Sequence, residues 1–127
     1  MKVVVSSSCR FSNDWPELGD KLGGLGIDLY LPDKKDLEGL SQEETDRIME
    51  TVNRDFFAQI DTSDILYIYC PEGYIGKGVA CEIGYAIAKN IEVIASDVID
   101  DIGVWSLVNK IKNVDEFIKY LGNKNEL

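Results

Sequence analysis

The stretch DILYIYCPEGYIGKGVACEIGYA, residues 64–86, joins an apolar run to a glycine-containing loop and then to a helical pattern. Residues 65–69 are apolar throughout, which predicts a strand that is buried on both faces. Val79, Ile83 and Ala86 recur at helical spacing, which predicts a helix after the loop. A buried strand followed by a helix is the unit from which parallel sheets are built, so this stretch indicates an α/β fold.

The same alternation of strand-like and helix-like segments continues over the rest of the chain. Strands are predicted at residues 3–5, 27–31 and 91–95, and helices at about 14–21, 41–60, from the glycine-containing loop to about 89, and from about 103 and 113 onward. Ser41 and Glu44 form a capping-box pattern before the longest helix. This order predicts one domain over residues 1–127, with a three-layer, flavodoxin- or Rossmann-like fold. Its sheet should be small and mainly parallel, with four or five strands and helices on both faces.

Composition excludes several classes of partner. The chain has 127 residues, of which 45% are apolar and 28% charged, as is typical of a soluble globular protein. A net charge of −10 without a basic stripe argues against binding of duplex nucleic acid, whereas a small anionic ligand needs only a local cluster of donors. No apolar run is long enough to span a membrane and no leader pattern opens the chain, so a cytoplasmic location is expected.

The chain contains no histidine. Ser-His and Cys-His nucleophile systems are therefore excluded, as are the imidazole ligands of most catalytic zinc sites. We expect no metal and no cofactor, and any acid-base or nucleophilic work should fall to Asp, Glu, Lys, Tyr or Cys. The three cysteines, Cys9, Cys70 and Cys81, form no metal-type pair and are expected to be small buried hydrophobic residues in a reducing compartment.

Glu82 is the most informative single residue. It shares one helical face with Val79, Ile83 and Ala86, and should therefore point toward the sheet or a pocket above it. In a parallel sheet, ligands bind beyond the carboxyl ends of the strands, where the loops at 6–10 and 72–78 are predicted to lie. Two interpretations of Glu82 stay open on this pattern, a catalytic carboxylate and a structural one that complements the positive end of the helix.

Gly78, Glu82, Ile83, Gly84 and Ala86 form the pattern Gly-x-x-x-Glu-[Ile/Leu]-Gly-x-Ala. This pattern resembles the nucleoside 2-deoxyribosyltransferase family, including its branch of 2′-deoxynucleoside 5′-monophosphate N-glycosidases. The resemblance implies that Glu82 is a nucleophile that attacks the sugar carbon of a nucleoside or nucleotide and forms a glycosyl-enzyme ester. The sugar would then pass to water or to another nucleobase.

The resemblance also implies a role for Asp55, which would position the sugar or the base. The family carries this residue eight positions before an Asp that heads the strand, here Asp64, but position 56 is Phe56 and Asp55 lies nine positions before. Asp55 is still the best candidate. Asp64 itself is expected at the amino end of its strand, opposite the ligand edge, and is interpreted as structural.

Substrate-binding residues are implied in two loops. Ser8 and Arg10 match the Ser and Arg of the Gly-Ser-x-Arg loop that contributes to phosphate and sugar binding in the monophosphate glycosidases. Arg10 could equally form a surface ion pair. Gly76 stands where the transferases carry an acid and the monophosphate glycosidases a serine, so neither role transfers. Lys77 beside it could supply charge to a phosphate, and Gly76 and Gly78 let the backbone approach a ligand closely.

Ser106 lies where the family offers a serine to the site of a neighbouring subunit, and the resemblance implies a homodimer or higher homo-oligomer. Two other classes of function stay open. The chain could be a non-catalytic nucleotide-binding module on the same fold, as the missing acid at Gly76 would suggest, or an acidic protein-interaction domain.

Overall fold

A parallel sheet of four strands forms the centre of the computed structural model, which describes residues 1–125. The strands are β1 (Lys2–Ser6), β2 (Asp28–Tyr30), β3 (Ile65–Ile68) and β4 (Glu92–Ala95). They lie in the order β2-β1-β3-β4, and each neighbouring pair is parallel. After β2 the chain crosses to the other side of β1, and such a reversal opens a crevice between the carboxyl ends of the two strands that flank it, here β1 and β3.

Helices cover both faces of this sheet. They are α1 (Trp15–Gly23), α2 (Gln42–Asp61), α3 (Lys77–Ala88), α4 (Ile102–Val108) and α5 (Val114–Asn125). Val3 and Tyr67 pack with α1 and α5 on one face, while Val4 and Leu66 pack with α2, α3 and α4 on the other. Neighbouring strand residues thus point to opposite faces, as the pleat of a strand requires. The prediction of a three-layer fold with a small parallel sheet is confirmed.

The longest helix, α2, begins where the sequence predicts. The Ser41 hydroxyl accepts a hydrogen bond from the Glu44 backbone N–H (3.1 Å), and the Glu44 carboxylate accepts one from the Ser41 N–H (3.3 Å). Farther along, Phe56 and Ile60 are buried in the core. Met49 and Val52 lie earlier on the helix at helical spacing from Phe56, and together with Phe56 they line a pocket.

Several boundaries differ from the predictions by one or two residues. The first helix begins at Trp15, because residues Cys9–Asp14 form a 3₁₀ turn that the Ser8 hydroxyl caps by accepting from the Arg10 N–H. Asp64 lies at the amino edge of the sheet and accepts a hydrogen bond from the Lys2 backbone N–H (2.8 Å), consistent with a structural residue.

The three cysteines differ in their exposure. Cys70 is buried as expected, but Cys9 and Cys81 are exposed, so the expectation of burial was wrong for both. Cys81 lies on the solvent side of α3, and Cys9 lies in the loop after β1, where apolar neighbours in sequence do not enclose it.

Among the described residues, no helix is both long and apolar enough to cross a bilayer.

Candidate active site

A pocket of about 460 Å³ lies beyond the carboxyl end of β1. Its walls come from the loop after β1, from the starts of α1 and α3, from β2 and the loop that follows it, and from α2. The residues that line it are Ser7, Ser8, Cys9, Trp15, Tyr30, Pro32, Asp33, Lys35, Leu37, Met49, Val52, Asn53, Asp55, Phe56, Gly76, Gly78, Val79 and Glu82. A volume of this order is typical of small-molecule sites.

The helix α3 carries Glu82 into this pocket. Val79, Ile83 and Ala86 are buried in the core on the face that α3 turns toward the sheet. Glu82 lies on the same side of the helix, one turn after Val79, and is half-buried at the pocket wall. Glu82 therefore lies on the same helical face as Val79, Ile83 and Ala86, as predicted. Its carboxylate lies at the boundary between the core and the pocket.

The Glu82 carboxylate has a single hydrogen-bond donor among the described side chains. The Ser6 hydroxyl donates to Glu82 Oε1 at 2.7 Å, and Ser6 is fully buried at the end of β1. The pKa of Glu82 is raised from its usual 4.5 to about 7, because burial raises it by more than the hydrogen bond from Ser6 lowers it. Near neutral pH this carboxyl group is therefore divided between its ionised and protonated forms, unlike an ordinary surface glutamate.

The start of α3 meets the loop after β1 at the edge of the pocket. Gly76 is the N-cap of α3 and offers no side-chain cap, and a methyl group added at Gly76 would lie 3.8 Å from the Ser8 hydroxyl. The first N–H groups of a helix have no partner inside the helix, and here the glycines leave them uncovered by side chains. This edge can thus offer a hydroxyl and backbone N–H donors to a ligand.

Five of the predicted site residues line this one pocket: Glu82, Asp55, Ser8, Gly76 and Gly78. Asp55 is exposed on α2 and faces the pocket, while Phe56 is buried beside it, with its ring 5.7 Å from that of Tyr30. The one-residue offset noted in the sequence therefore still places a carboxylate at the pocket, and Phe56 contributes to both the pocket wall and the core.

Three of the predicted residues lie outside the pocket wall. Arg10 places its guanidinium 3.5 Å from the centroid of the Tyr74 ring, a cation–π contact. Lys77 is exposed at the first position of α3. Ser106 is exposed on α4 and donates a hydrogen bond to the Gly103 carbonyl (2.8 Å).

Sequence reasoning missed several residues that the fold brings to the site. Ser6 holds Glu82, Tyr30 and Trp15 supply aromatic walls, and Asn53 adds an amide on α2. The position of Ser6 at the end of β1 was a usable signal, since strand ends at a crevice carry functional groups.

Among the residues that the structure describes, no group of three or more Cys, Asp or Glu side chains could hold a metal ion.

The comparisons with known proteins are structural only. No family model matches the sequence, and no curated protein matches it. The fold, however, is shared with several solved structures. A 2-deoxyribosyltransferase from Bacillus psychrosaccharolyticus is similar with a TM-score of 0.66 and 16% identity, over 94% of this chain and 92% of that one.

Two further solved structures share the fold over nearly the whole chain. A CMP N-glycosidase from Clostridium botulinum has a TM-score of 0.55 and 15% identity, covering 95% of this chain and 98% of that one. A conserved protein from Enterococcus faecalis V583 has a TM-score of 0.56 and 18% identity, covering 100% and 99%. The structures with a similar fold thus include a 2-deoxyribosyltransferase and an N-glycosidase, the two kinds of enzyme that the motif around Glu82 resembles. At these sequence identities the comparison shows a common fold.

The raised pKa of Glu82 predicts a pH-dependent cost to stability. Between pH 4.5 and about 7 the folded protein binds a proton that the unfolded chain has released, so the contribution of Glu82 to the free energy of unfolding falls as pH rises through this window. Glu82→Gln removes this titration. The variant should be more stable than the wild type at pH 8 by up to about 3 kcal/mol, with little difference at pH 4.5, when urea unfolding is compared.

Glu38→Gln controls for the change in net charge, because it removes one negative charge from an exposed loop position. Equal stability of the wild type and Glu82→Gln at pH 8 would contradict a buried carboxylate that is costly to ionise.

Proposed function

We propose that the protein cleaves the N-glycosidic bond of a nucleoside or deoxynucleoside, or of its 5′-monophosphate, with Glu82 as the nucleophile. The observation that carries this proposal is the Glu82 carboxylate itself, which is half-buried, held by one donor and turned toward a pocket of small-molecule size. The likeness in fold to a 2-deoxyribosyltransferase and a CMP N-glycosidase supports this class of chemistry. So does the absence of histidine, because a carboxylate needs no imidazole to attack a sugar.

The reaction begins when ionised Glu82 attacks the anomeric carbon of the sugar. The bond between this carbon and the base nitrogen breaks through an oxocarbenium-like transition state, and the base leaves with the electron pair and takes up a proton from solvent. Glu82 is then esterified to the sugar. Water or a second nucleobase attacks the same carbon and gives up a proton to solvent, and the Glu82 carboxylate is released.

Asp55 would support this reaction from α2. It lies on α2 and faces the same pocket as Glu82, and a carboxylate there can accept hydrogen bonds from sugar hydroxyl groups or from a base. The aromatic rings of Tyr30 and Trp15 give the pocket apolar surface for the flat face of a base or a sugar. Ser8 and the start of α3 supply the remaining donors.

The charges of the pocket favour an unphosphorylated substrate. Among the described residues that line it, Asp33, Asp55 and Glu82 are acidic and Lys35 is the one cation, and Lys35 is paired with Asp33 at 3.1 Å. Arg10 and Lys77, the two cations considered for phosphate, lie outside the wall, and the Arg10 guanidinium is held on Tyr74. A doubly charged phosphate would therefore meet more repulsion than attraction, with backbone N–H groups as its main donors.

A non-catalytic nucleotide-binding module is the second candidate. The observation that favours it is Gly76, which leaves no acid at the position where transferases handle the leaving base. This candidate predicts that calorimetry detects nucleoside or nucleotide binding while no base is released over hours. The two candidates differ in turnover alone, so one assay separates them.

Release of free base should depend on Glu82. Wild-type protein incubated with a panel of deoxynucleosides should release base, and Glu82→Gln should lower the rate at least ~10³-fold, equivalent to about 4 kcal/mol in barrier height, because an amide is a very weak nucleophile. Chromatography of the products measures the rate. Cys81→Ser, a change at the exposed neighbour on the same helix, should retain wild-type activity.

Base release that Glu82→Gln leaves unchanged would refute the assignment of the nucleophile. The same assay distinguishes the two fates of the ester. With adenine added to a deoxypyrimidine nucleoside, formation of deoxyadenosine assigns a transferase, whereas free base and free sugar alone assign a hydrolase.

The acidic pocket predicts discrimination against phosphate. We expect kcat/KM for a deoxynucleoside to exceed that for its 5′-monophosphate by at least ~10-fold, or about 1.4 kcal/mol, at low ionic strength. The ratio should shrink as salt is added, because exposed charges are screened. Lys35→Gln removes the one cation of the pocket wall and should widen the ratio. A preference for the monophosphate would instead show that Arg10 or Lys77 reaches the substrate.

A further inference from the structure

We propose that Ser6 is a positioning residue for the nucleophile, whose hydroxyl group holds Glu82 Oε1 so that Oε2 is the oxygen that attacks the sugar. The proposal rests on the function proposed for Glu82 and adds a second residue to it. Ser6 is not one of the residues that match the family, although it lies just before the loop that carries Ser8 and Arg10.

The backbone around Ser6 leaves its hydroxyl little freedom. Ser6 is the last residue of β1 and pairs with Ile68 of β3, and its carbonyl accepts a hydrogen bond from the Tyr69 N–H at 2.9 Å. Strand residues two apart share a face, so Ser6 points to the same side as Val4, which packs with α2, α3 and α4. This side is the one that α3 covers, and Ser6 reaches the carboxylate of Glu82 there.

The hydrogen bond itself has the geometry of a strong one. Ser6 is fully buried, and its single hydroxyl proton is donated to Glu82 Oε1 at 2.7 Å. A hydrogen bond to an ionised acceptor is stronger than one between neutral groups, particularly where water is excluded. Ser6 therefore favours the ionised, attacking form of Glu82, while burial favours the protonated form.

The contact has consequences for both chemical steps. When Oε2 bonds to the sugar, Oε1 becomes the carbonyl oxygen of the ester and still accepts from Ser6, more weakly than before. When water or a second base displaces the carboxylate, negative charge returns to both oxygens, and the donor stabilises this leaving group. A hydroxyl fixed on the oxygen that does not react is thus useful in attack and in release.

Other ionisable groups also face the pocket, and a test must separate their effects from that of Ser6. They are Cys9 from the loop after β1, Tyr30 from β2, Asp33 and Lys35 from the loop that follows it, and Asp55 from α2. The raised pKa of Glu82 has two causes, burial as the larger one and the opposing hydrogen bond from Ser6. A change at Ser6 should therefore move the titration of Glu82 and leave that of the other groups in place.

The test compares Ser6→Ala, which removes the donor, with Ser6→Thr, which retains it. In the wild type the acidic limb of the pH profile of kcat/KM should lie near pH 7, where Glu82 titrates. In Ser6→Ala it should move upward by about one pH unit or more, since a hydrogen bond to a charged group is lost. The rate at pH 7 then falls roughly fivefold and recovers above pH 9. Ser6→Thr should keep the limb near the wild-type position.

A readout that does not need turnover keeps the two proposals distinguishable. The carboxyl carbon of Glu82, assigned by its loss in Glu82→Gln, can be titrated by NMR in protein labelled with ¹³C-glutamate. Its midpoint should rise in Ser6→Ala by the same amount as the kinetic limb. If the wild type released no base, the proposed function would fail, and this titration would still decide whether Ser6 controls Glu82.

Two results would overturn the role of Ser6. One is an unchanged Glu82 midpoint in Ser6→Ala. The other is a loss of activity that is equal at every pH, as a purely structural role predicts. If Ser6→Ala does not fold, Ser6→Cys keeps the size of the side chain with a weaker donor. It should shift the limb in the same direction by a smaller amount, and no shift would count against the proposal.

Discussion

The pairing of β1 with a strand on each side is the constraint on which the rest of the site depends. Because β2 lies on one side of β1 and β3 on the other, the connections that leave β1 and β3 diverge and open a crevice at their carboxyl ends. The loop after β1 and the start of α3 meet across this crevice. Ser6 and Glu82, 76 residues apart in sequence, come within hydrogen-bond distance there.

The same packing sets a conflict between stability and chemistry at Glu82. A helix that buries Val79, Ile83 and Ala86 must also carry Glu82 into a place where ionisation is unfavourable. A structural carboxylate would be expected to find a cation or several donors, as Glu92 does with Tyr120, Lys110 and Lys124 at the other edge of the sheet. Glu82 has one hydroxyl donor and an open pocket instead, which is what a nucleophile requires.

The architecture could be predicted from the sequence because it depends on local patterns. The apolar run 65–69 and the capping box at Ser41 and Glu44 each fix their element without reference to distant residues. Glu82 is visible in the spacing as an acidic residue on an apolar helical face, while its role as a nucleophile was implied by the family resemblance. These signals gave the sheet, its helices and the central carboxylate.

Residues whose role depends on tertiary contacts were harder to predict. Ser6 acts through Glu82, far away in sequence, and nothing in the sequence near Ser6 indicates this pairing. Arg10 matched a phosphate-binding loop, yet its side chain lies on Tyr74, which is also distant in sequence. Met49 lies at helical spacing from Phe56 and Ile60, yet it lines the pocket while those two residues pack in the core.

The central claim is that Glu82 forms a covalent bond to the sugar, and trapping this ester tests it most directly. A 2′-fluoro-arabinosyl nucleoside destabilises the oxocarbenium-like transition states and slows release of the sugar from the enzyme. After incubation, mass spectrometry of the intact protein and of its peptides should show one fluorosugar, attached to the peptide that contains Glu82 and absent in Glu82→Gln. Base release without an adduct at Glu82, or an adduct on another residue, would contradict the account.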